Sequence, residues 1–162
     1  MHTGRNKKME KAYFPMFVDI SEKEILVVGG VKIAARRIRT LLDFTVHITV
    51  ITPALDEKLR QYADLEKFRW VQRKYRESDI TGSDKPDIVL AATGDTEVNA
   101  EIGRLCRSLG ICVNVADKKE MCDFYFPSIV KTEEVVIGIN SGGANPGATK
   151  RTREKIEEWL GK

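Results

Sequence analysis

Apolar and polar positions along the chain predict short buried strands that alternate with amphipathic helices. Aliphatic and β-branched runs predict strands at 25–28, 46–51, 68–73, 88–92 and 112–115. Helical periodicity predicts helices at 32–42, at 55–63 and from Asp95 to a C-capping Gly110. Strands separated by helices of about 10–15 residues are typical of a parallel sheet with right-handed crossovers. Residues 13–115 are therefore predicted to form a Rossmann-like α/β domain.

The pattern changes after this predicted domain. The runs F-Y-F-P-S-I-V and V-V-I-G-I-N flank K-T-E-E, which predicts a β-hairpin within residues 124–140. Asn145 and Pro146 suit the N-cap and first position of a closing helix. Residues 116–162 are too few for an independent core, and a second copy of the chain is the simplest partner surface. The predicted fold class is a Rossmann-like parallel sheet followed by a small α+β dimerisation segment.

The turn after the first predicted strand has the outline of a phosphate-binding loop, V-V-G-G-V-K-I-A-A at 27–35. Backbone N–H groups and a helix N-terminus would face an anion there. The usual pattern is G-x-G-x-x-G/A. This chain matches its last position with Ala34 but has Val31 in place of the middle glycine. A Cβ there is expected to crowd the pyrophosphate and to disfavour positive φ, at about 1–3 kcal/mol for a strained backbone.

The end of the second predicted strand also departs from that pattern. It reads I-T-P-A at 51–54, with neither an acidic residue for a ribose hydroxyl nor an arginine for a 2′-phosphate. From these residues alone, a nucleotide site and a tight βα turn without a ligand are equally open alternatives.

Composition excludes several classes of function. The chain has 162 residues and a net charge of +3, which is too weak a bias to indicate nucleic-acid binding. Much of the charge lies in residues 1–12, which we interpret as a basic flexible leader. With no apolar run near the about 20 residues that cross a bilayer and no signal-peptide pattern, we expect a cytoplasmic protein without membrane contact. Histidine, cysteine and carboxylate residues show no metal-site spacing, so no metal site is predicted.

A series of short motifs extends in order from residue 13 to near the end of the chain. They are F-P-M-F-V-D-I (14–20), V-V-G-G-V-K-I-A-A-R-R (27–37), I-T-V-I-T-P (48–53), A-A-T-G-D-T-E-V-N (91–99), N-V-A-D (114–117), F-Y-F-P-S-I-V (124–130) and N-S-G-G-A-N-P (140–146). Each is modest alone, but together and in register they resemble the precorrin-2 dehydrogenase/sirohydrochlorin ferrochelatase family, the N-terminal module of siroheme synthase.

The resemblance implies a homodimer that uses NAD to oxidise the tetrapyrrole precorrin-2 to sirohydrochlorin in siroheme biosynthesis, and in some members inserts Fe²⁺. NADP stays open as an alternative cofactor. Carried over position by position, it implies that the nucleotide contacts Gly29, Gly30, Val31, Lys32, Ile33, Thr52, Pro53, Ala54 and Thr93. The family's second strand also lacks an acidic ribose ligand, so that absence does not argue against NAD.

The resemblance also implies the catalytic and substrate-binding residues. The family's catalytic aspartate matches Asp117, and a carboxylate near the carboxyl end of a strand can take the proton that leaves as the macrocycle loses hydride. Without the resemblance, Asp117 would be interpreted as the start of a turn. Ser141, Gly142 and Gly143 match the family's S-S-G-G and are expected to support binding of a substrate carboxylate.

Three departures from the family pattern leave alternatives open. Val31 replaces a glycine, Thr45 replaces the glycine that usually ends the first helix, and the sequence stops at Lys162 where many members continue. The alternatives to a dehydrogenase are a non-catalytic tetrapyrrole-binding or sensing dimer with weakened NAD binding, and a chelatase only.

Overall fold

The computed structural model describes residues 14–142 and 145–161. Its central element is a five-stranded parallel sheet of strand order β3-β2-β1-β4-β5. The strands are β1 (Ile25–Val28), β2 (Ile48–Ile51), β3 (Arg69–Val71), β4 (Ile88–Ala91) and β5 (Cys112–Val115). In register, Ile25 of β1 lies opposite Ile48 of β2 and Ile88 of β4. The predicted Rossmann-like parallel sheet is confirmed.

Helices accompany both faces of this sheet. They are α1 (Lys32–Leu41), α2 (Glu57–Asp64), α3 (Ser78–Thr81) and α4 (Thr96–Leu109). Successive residues of a strand point to opposite faces, so Val27 of β1 packs in a cluster with α1 and α2, whereas Val28 packs with α3 and α4. All of β1 is buried, which explains why its sequence is a continuous apolar run rather than an alternating one.

Several element boundaries differ from those predicted. β2 begins at Ile48 rather than at 46, and the Val46 side chain is exposed. α2 begins at Glu57, because the Asp56 side chain accepts a hydrogen bond from the Lys58 N–H (2.9 Å) and acts as its N-cap. The single-turn α3 was not predicted, since Ile80 is its one buried residue and gives no apolar periodicity.

Contacts between residues divide the chain into two units, and the larger unit is Asp19–Phe126. It extends past the boundary at 115 predicted from the sequence, because the chain that leaves β5 stays packed against that strand. The Asn114 amide donates to the Phe124 carbonyl (2.6 Å), and the Asp123 carboxylate accepts from the Val113 N–H (2.9 Å). A 3₁₀ turn at Lys119–Met121 lies within this returning segment.

Among the described residues, the smaller unit takes in 14–18, 127–142 and 145–161. It contains the antiparallel pair β6 (Ser128–Lys131) and β7 (Val136–Ile139), followed by α5 (Pro146–Trp159). Asn145 caps α5 by accepting from the Ala148 N–H (2.9 Å), and Pro146 is its first residue, as predicted. The basic leader at 1–12 lies outside the described residues, and the dimerisation role of this unit stays a prediction.

Candidate nucleotide-binding site

A cavity of about 650 Å³ opens within the larger unit at the carboxyl ends of β1, β2 and β4. Its lining comes from the glycine turn after β1 and from the segments that follow β2, β3 and β4, together with one face of α4. The strand order reverses between β1 and β4, and open α/β sheets bind ligands outside the carboxyl ends of their strands at such a point. The cavity therefore has the position of a nucleotide site.

Gly29 and Gly30 let the turn after β1 lie against its neighbours. Gly29 has φ +117°, and a Cβ there would overlap the Ala92 carbonyl and come within 2.9 Å of the Thr93 nitrogen. A Cβ at Gly30 would lie 2.6 Å from the Thr52 methyl and 2.7 Å from the Ala54 carbonyl oxygen. Both positions require glycine because the turn touches the segments after β2 and β4.

The conformation of Val31 corrects one expectation from the sequence. Its backbone is extended, with φ −95° and ψ −175°, and its side chain is 54% exposed. Any L-residue adopts this conformation, so the predicted backbone strain is absent. The positive φ of this turn belongs to Gly29 instead.

The first helix begins without a cap. Val31 occupies the N-cap position of α1 and makes no side-chain capping bond, and the first turn contains no acidic residue. By contrast, α2, α4 and α5 are capped by Asp56, Asp95 and Asn145. The first N–H groups of α1 have no partner within the helix, and the positive end of the helix dipole lies there. This end of α1 suits a phosphate group.

The structure brings most of the predicted nucleotide residues to this cavity. Those that line it are Gly29, Gly30, Val31, Thr52, Pro53 and Thr93. The other three, Lys32, Ile33 and Ala54, are not among the lining residues. Lys32 and Ile33 are exposed in the first turn of α1. The Ala54 carbonyl oxygen accepts a hydrogen bond from the Thr52 hydroxyl (2.9 Å). Contact of any of them with a cofactor stays a prediction.

Sequence reasoning missed part of the lining. Additional lining residues come from the loop between β3 and α3 and from the start and one face of α4: Lys74, Tyr75, Arg76, Glu77, Gly94, Asp95, Val98, Glu101 and Leu105. The loop carries no motif, and only the strand order could have indicated it, because β3 lies beside β2.

Asn99 of α4 connects the cavity to the predicted catalytic residue. It is 1% exposed, and its Oδ1 accepts from the Thr93 N–H (2.9 Å) and lies 2.7 Å from the Thr93 hydroxyl. Its Nδ2 donates to the Thr93 carbonyl (3.2 Å) and to Oδ2 of Asp117 (3.3 Å). The Asn99 side chain therefore links the exposed Asp117 carboxylate to Thr93, which lines the cavity. The motif A-A-T-G-D-T-E-V-N contained this asparagine as its last residue.

The predicted substrate residues lie in the smaller unit. Ser141 Oγ accepts from the Asn145 N–H (3.2 Å) just before α5. Gly142 has φ +64°, and its N–H donates to the Asn140 side chain (2.9 Å). Gly143 lies outside the described residues. Substrate binding at these positions stays a prediction.

The described residues contain neither a metal-binding cluster nor a membrane-spanning helix. Within 14–142 and 145–161, His, Cys, Asp and Glu side chains form no group of three or more that could hold a metal ion. In the same part of the chain, no helix has the length and apolar character needed to span a membrane.

A parallel sheet of this strand order, with a glycine turn, an uncapped helix and a cavity where the order reverses, defines a dinucleotide-binding domain of the Rossmann type. The chain belongs to the family whose model is described as "Putative NAD(P)-binding", which matches residues 16–128.

Individual relatives confirm the resemblance recognised from the motifs. The chain is 36% identical over 148 residues to a siroheme synthase of Nitrosococcus oceani and, over the same length, to one of Pseudoalteromonas atlantica. These alignments cover 91% of this chain but only 31% of each relative. A solved structure of "SirC, precorrin-2 dehydrogenase" matches with a TM-score of 0.73 and 25% identity, over 90% of this chain and 70% of that one.

Proposed function

We propose that this protein catalyses the NAD(P)⁺-dependent dehydrogenation of precorrin-2 to sirohydrochlorin. The observation that supports the proposal is a chain of hydrogen bonds in which Asn99 links the Asp117 carboxylate to Thr93, a residue of the cavity lining. The printed names of the siroheme synthases and of the precorrin-2 dehydrogenase support the choice of substrate.

The glycine turn and α1 fit a dinucleotide. Gly29 and Gly30 bring the turn against the segments after β2 and β4, and the uncapped N-terminus of α1 offers N–H donors to the pyrophosphate. Lys32 in the first turn of α1 adds a positive charge, and Thr52 and Pro53 line the cavity where the adenosine ribose would lie. A bound NAD(P)⁺ supplies the hydride acceptor.

Asp117 is assigned the role of base. Dehydrogenation removes a hydride from a ring carbon and a proton from a neighbouring carbon or nitrogen, so one group on the protein must accept the proton. The exposed Asp117 carboxylate can reach substrate, while the Asn99 amide holds Oδ2 and so fixes the direction of the side chain. Asn99 is buried and also bonded to Thr93, so the amide that donates to Asp117 is itself held in place.

The structure also bears on the alternative of a sensing dimer with weakened cofactor binding. That alternative depends on Val31, whose extended backbone carries no strain, so only crowding of the pyrophosphate by its side chain would weaken the site. The dehydrogenase is therefore the function that the geometry supports best.

Kinetics of an Asp117→Asn variant test the proposal. With precorrin-2 and NAD(P)⁺, we expect the intact chain to form sirohydrochlorin, and we expect the variant to lose about 100- to 10,000-fold in kcat with cofactor affinity unchanged. Asp84→Asn removes an equally exposed carboxylate from a loop outside the cavity and serves as the control. No turnover by the intact protein would contradict the function, and full activity of Asp117→Asn would contradict the role of this residue.

Iron insertion is a separate reaction, in which pyrrole N–H protons leave as the metal enters. Sirohydrochlorin and Fe²⁺ without NAD(P)⁺ test it alone. Turnover in that assay, with none in the dehydrogenase assay, would favour a chelatase only.

A further inference from the structure

Arg37 of α1 is a partly buried cation whose donors are not used within the protein. Its Nε and Nη1 atoms are buried and have no hydrogen-bond partner among the described residues. Arg37 also belongs to none of the ion pairs found in that part of the chain. A buried guanidinium without an acceptor is costly, because its charge leaves water and gains no partner in return. Such a group indicates a place where a ligand supplies the acceptor.

Aromatic rings support the guanidinium from one side. Its central carbon lies 5.1 Å from the centroid of the Phe126 ring, and the rings of Phe126 and Phe124 are 5.6 Å apart. Both phenylalanines pack against the same core cluster as α1. The face of a ring attracts a cation but offers no lone pair to its N–H groups. The rings therefore hold the Arg37 side chain and leave its donors for an oxygen ligand.

The charges around Arg37 do not neutralise it. Burial lowers the pKa of Arg37, the Cys122 thiol acts in the opposite direction, and Arg36 adds to the lowering. Burial raises the pKa of the neighbouring Cys122, and Asp123 and Glu120 add to that effect. Neither carboxylate is among the groups that shift the pKa of Arg37. Because arginine stays protonated in proteins, Arg37 presents its full positive charge to an incoming anion.

A second unpartnered polar group lies on the same side of the sheet. Asn114 of β5 is 2% exposed, and its Nδ2 donates to the Phe124 carbonyl (2.6 Å), whereas its Oδ1 has no partner among the described residues. Asn114 pairs with Leu90, whose side chain packs in the cluster with α1, so Asn114 and Arg37 face the same layer. Both contact the segment 122–126. A carboxylate with one bound water molecule would supply the acceptor and the donor that these two groups need.

The position of Arg37 relates it to the proposed base. The side chains of a helix incline towards its N-terminus, and α1 begins at the carboxyl edge of the sheet, just after β1 and the glycine turn. The guanidinium therefore inclines towards the edge at which Asp117 follows β5, three residues after Asn114. Tetrapyrroles of the siroheme pathway carry carboxylates around the ring, so a macrocycle that reacts at Asp117 has carboxylates to place elsewhere along this edge.

We propose that Arg37 binds a carboxylate at the periphery of the tetrapyrrole substrate. This inference rests on the proposed dehydrogenation of precorrin-2 and adds a residue that binds the substrate away from the reacting carbons. The charge that the fold leaves unpaired becomes paired when the substrate binds.

Titration of the full chain with sirohydrochlorin, followed by absorbance, measures tetrapyrrole binding without turnover. We expect Arg37→Gln to weaken this binding about 10- to 100-fold and to leave NAD(P)⁺ affinity unchanged, because a hydrogen bond between charged groups is lost. The control Arg39→Gln removes the same charge from an exposed position of the same helix and should keep both affinities. Arg37→Lys keeps the charge and should recover part of the binding.

Urea unfolding separates this role from a structural one. Without tetrapyrrole, Arg37→Met should unfold at the same or a higher urea concentration than the unmodified chain, because a buried cation without an acceptor does not stabilise the fold. A lower midpoint would assign Arg37 to the stability of the fold and would overturn the inference.

Precorrin-2 turnover by the unmodified chain tests the proposed function separately. Turnover together with an unchanged sirohydrochlorin affinity of Arg37→Gln would overturn the inference alone. Neither turnover nor sirohydrochlorin binding by the unmodified chain would overturn the proposed function, and the inference with it. If Arg37→Gln loses binding and also changes the mass measured by light scattering, a carboxylate of a second copy of the chain pairs with Arg37, and the inference is overturned.

Discussion

Val31 lies between the glycine turn and α1, with its backbone extended and more than half of its side chain exposed. The residue that needs the conformational freedom of glycine is Gly29, where φ is positive and the Ala92 carbonyl leaves no space for a Cβ. Within this one turn, position 29 therefore requires glycine and position 31 does not. The sequence pattern predicts that the missing glycine at position 31 is the critical one. The backbone conformation shows instead that position 29 is the one that requires glycine.

A Val31→Gly variant should bind NAD(P)⁺ with an affinity within about threefold of the unmodified chain, because glycine relieves no strain at φ −95°. Calorimetric titration measures this directly. Tightening by more than about tenfold, or about 1.4 kcal/mol, would show that the valine obstructs the pyrophosphate.

Gly29→Ala should destabilise the chain by about 2 kcal/mol or more, because the added methyl meets backbone atoms at a positive φ. The control is Gly94→Ala in the same cavity, where a Cβ would have nothing within 4 Å. Urea unfolding gives both free energies. Equal stability of the two variants would show that β1 and β4 are not in such close contact at this turn.

At the scale of elements, the loop between β3 and α3 shows how an ion pair shapes the cavity. The Asp79 side chain is 10% exposed and accepts both Arg73 and a backbone N–H of the loop. The hydrogen bond from Arg73, followed by that from the Arg76 N–H and the charges of both arginines, outweighs burial and lowers the pKa of Asp79 below its usual value.

This lowered pKa predicts a pH-dependent contribution to stability. A carboxyl whose folded pKa lies below its unfolded value stabilises the fold above the unfolded pKa, about 3.9, and loses that contribution as pH falls through the folded pKa. The difference in unfolding free energy between the unmodified chain and Asp79→Asn should be constant above about pH 5 and should shrink below about pH 4. Urea titrations across this range measure it, and a difference that grows on acidification would contradict the assigned ion pair.

Elements with strong apolar signals were predictable from the sequence, and the polar loops were not. β1, β4, β5 and α4 lie within a residue of their predicted bounds, because continuous buried strands and a capped helix leave clear patterns. The lining at Lys74–Glu77 was missed because its position depends on β3 pairing with β2, a contact that no local pattern encodes. The hydrogen bond from Asn99 to Asp117 likewise could not be predicted from local sequence, since it joins α4 to the segment after β5.

At the scale of the whole molecule, the smaller unit exposes large apolar side chains. Phe14, Met16 and Phe17 are mostly exposed, and Trp159 at the end of α5 is 82% exposed. A contiguous patch of exposed apolar side chains marks an interaction surface, and Phe14, Met16 and Phe17 are close together in sequence. They support the prediction, made from the sequence and the family resemblance, that this unit pairs two copies of the chain.

Light scattering should therefore give the mass of a dimer at micromolar concentration. Trp159→Lys should shift the protein towards a monomer, because it places a charge on an apolar surface that pairing would bury. Glu158→Lys alters an exposed polar position of the same helix and should leave the dimer intact. A monomer in the unmodified chain would contradict the predicted pairing.

We propose that this chain transfers a hydride from precorrin-2 to a pyridine nucleotide. A single-turnover reaction, with the full chain in excess over precorrin-2, measures reduced cofactor and sirohydrochlorin together. We expect both products to form at the same rate and in equal amounts, and we expect Asp117→Asn to slow the formation of both. Sirohydrochlorin formed without reduced cofactor, or neither product, would contradict it.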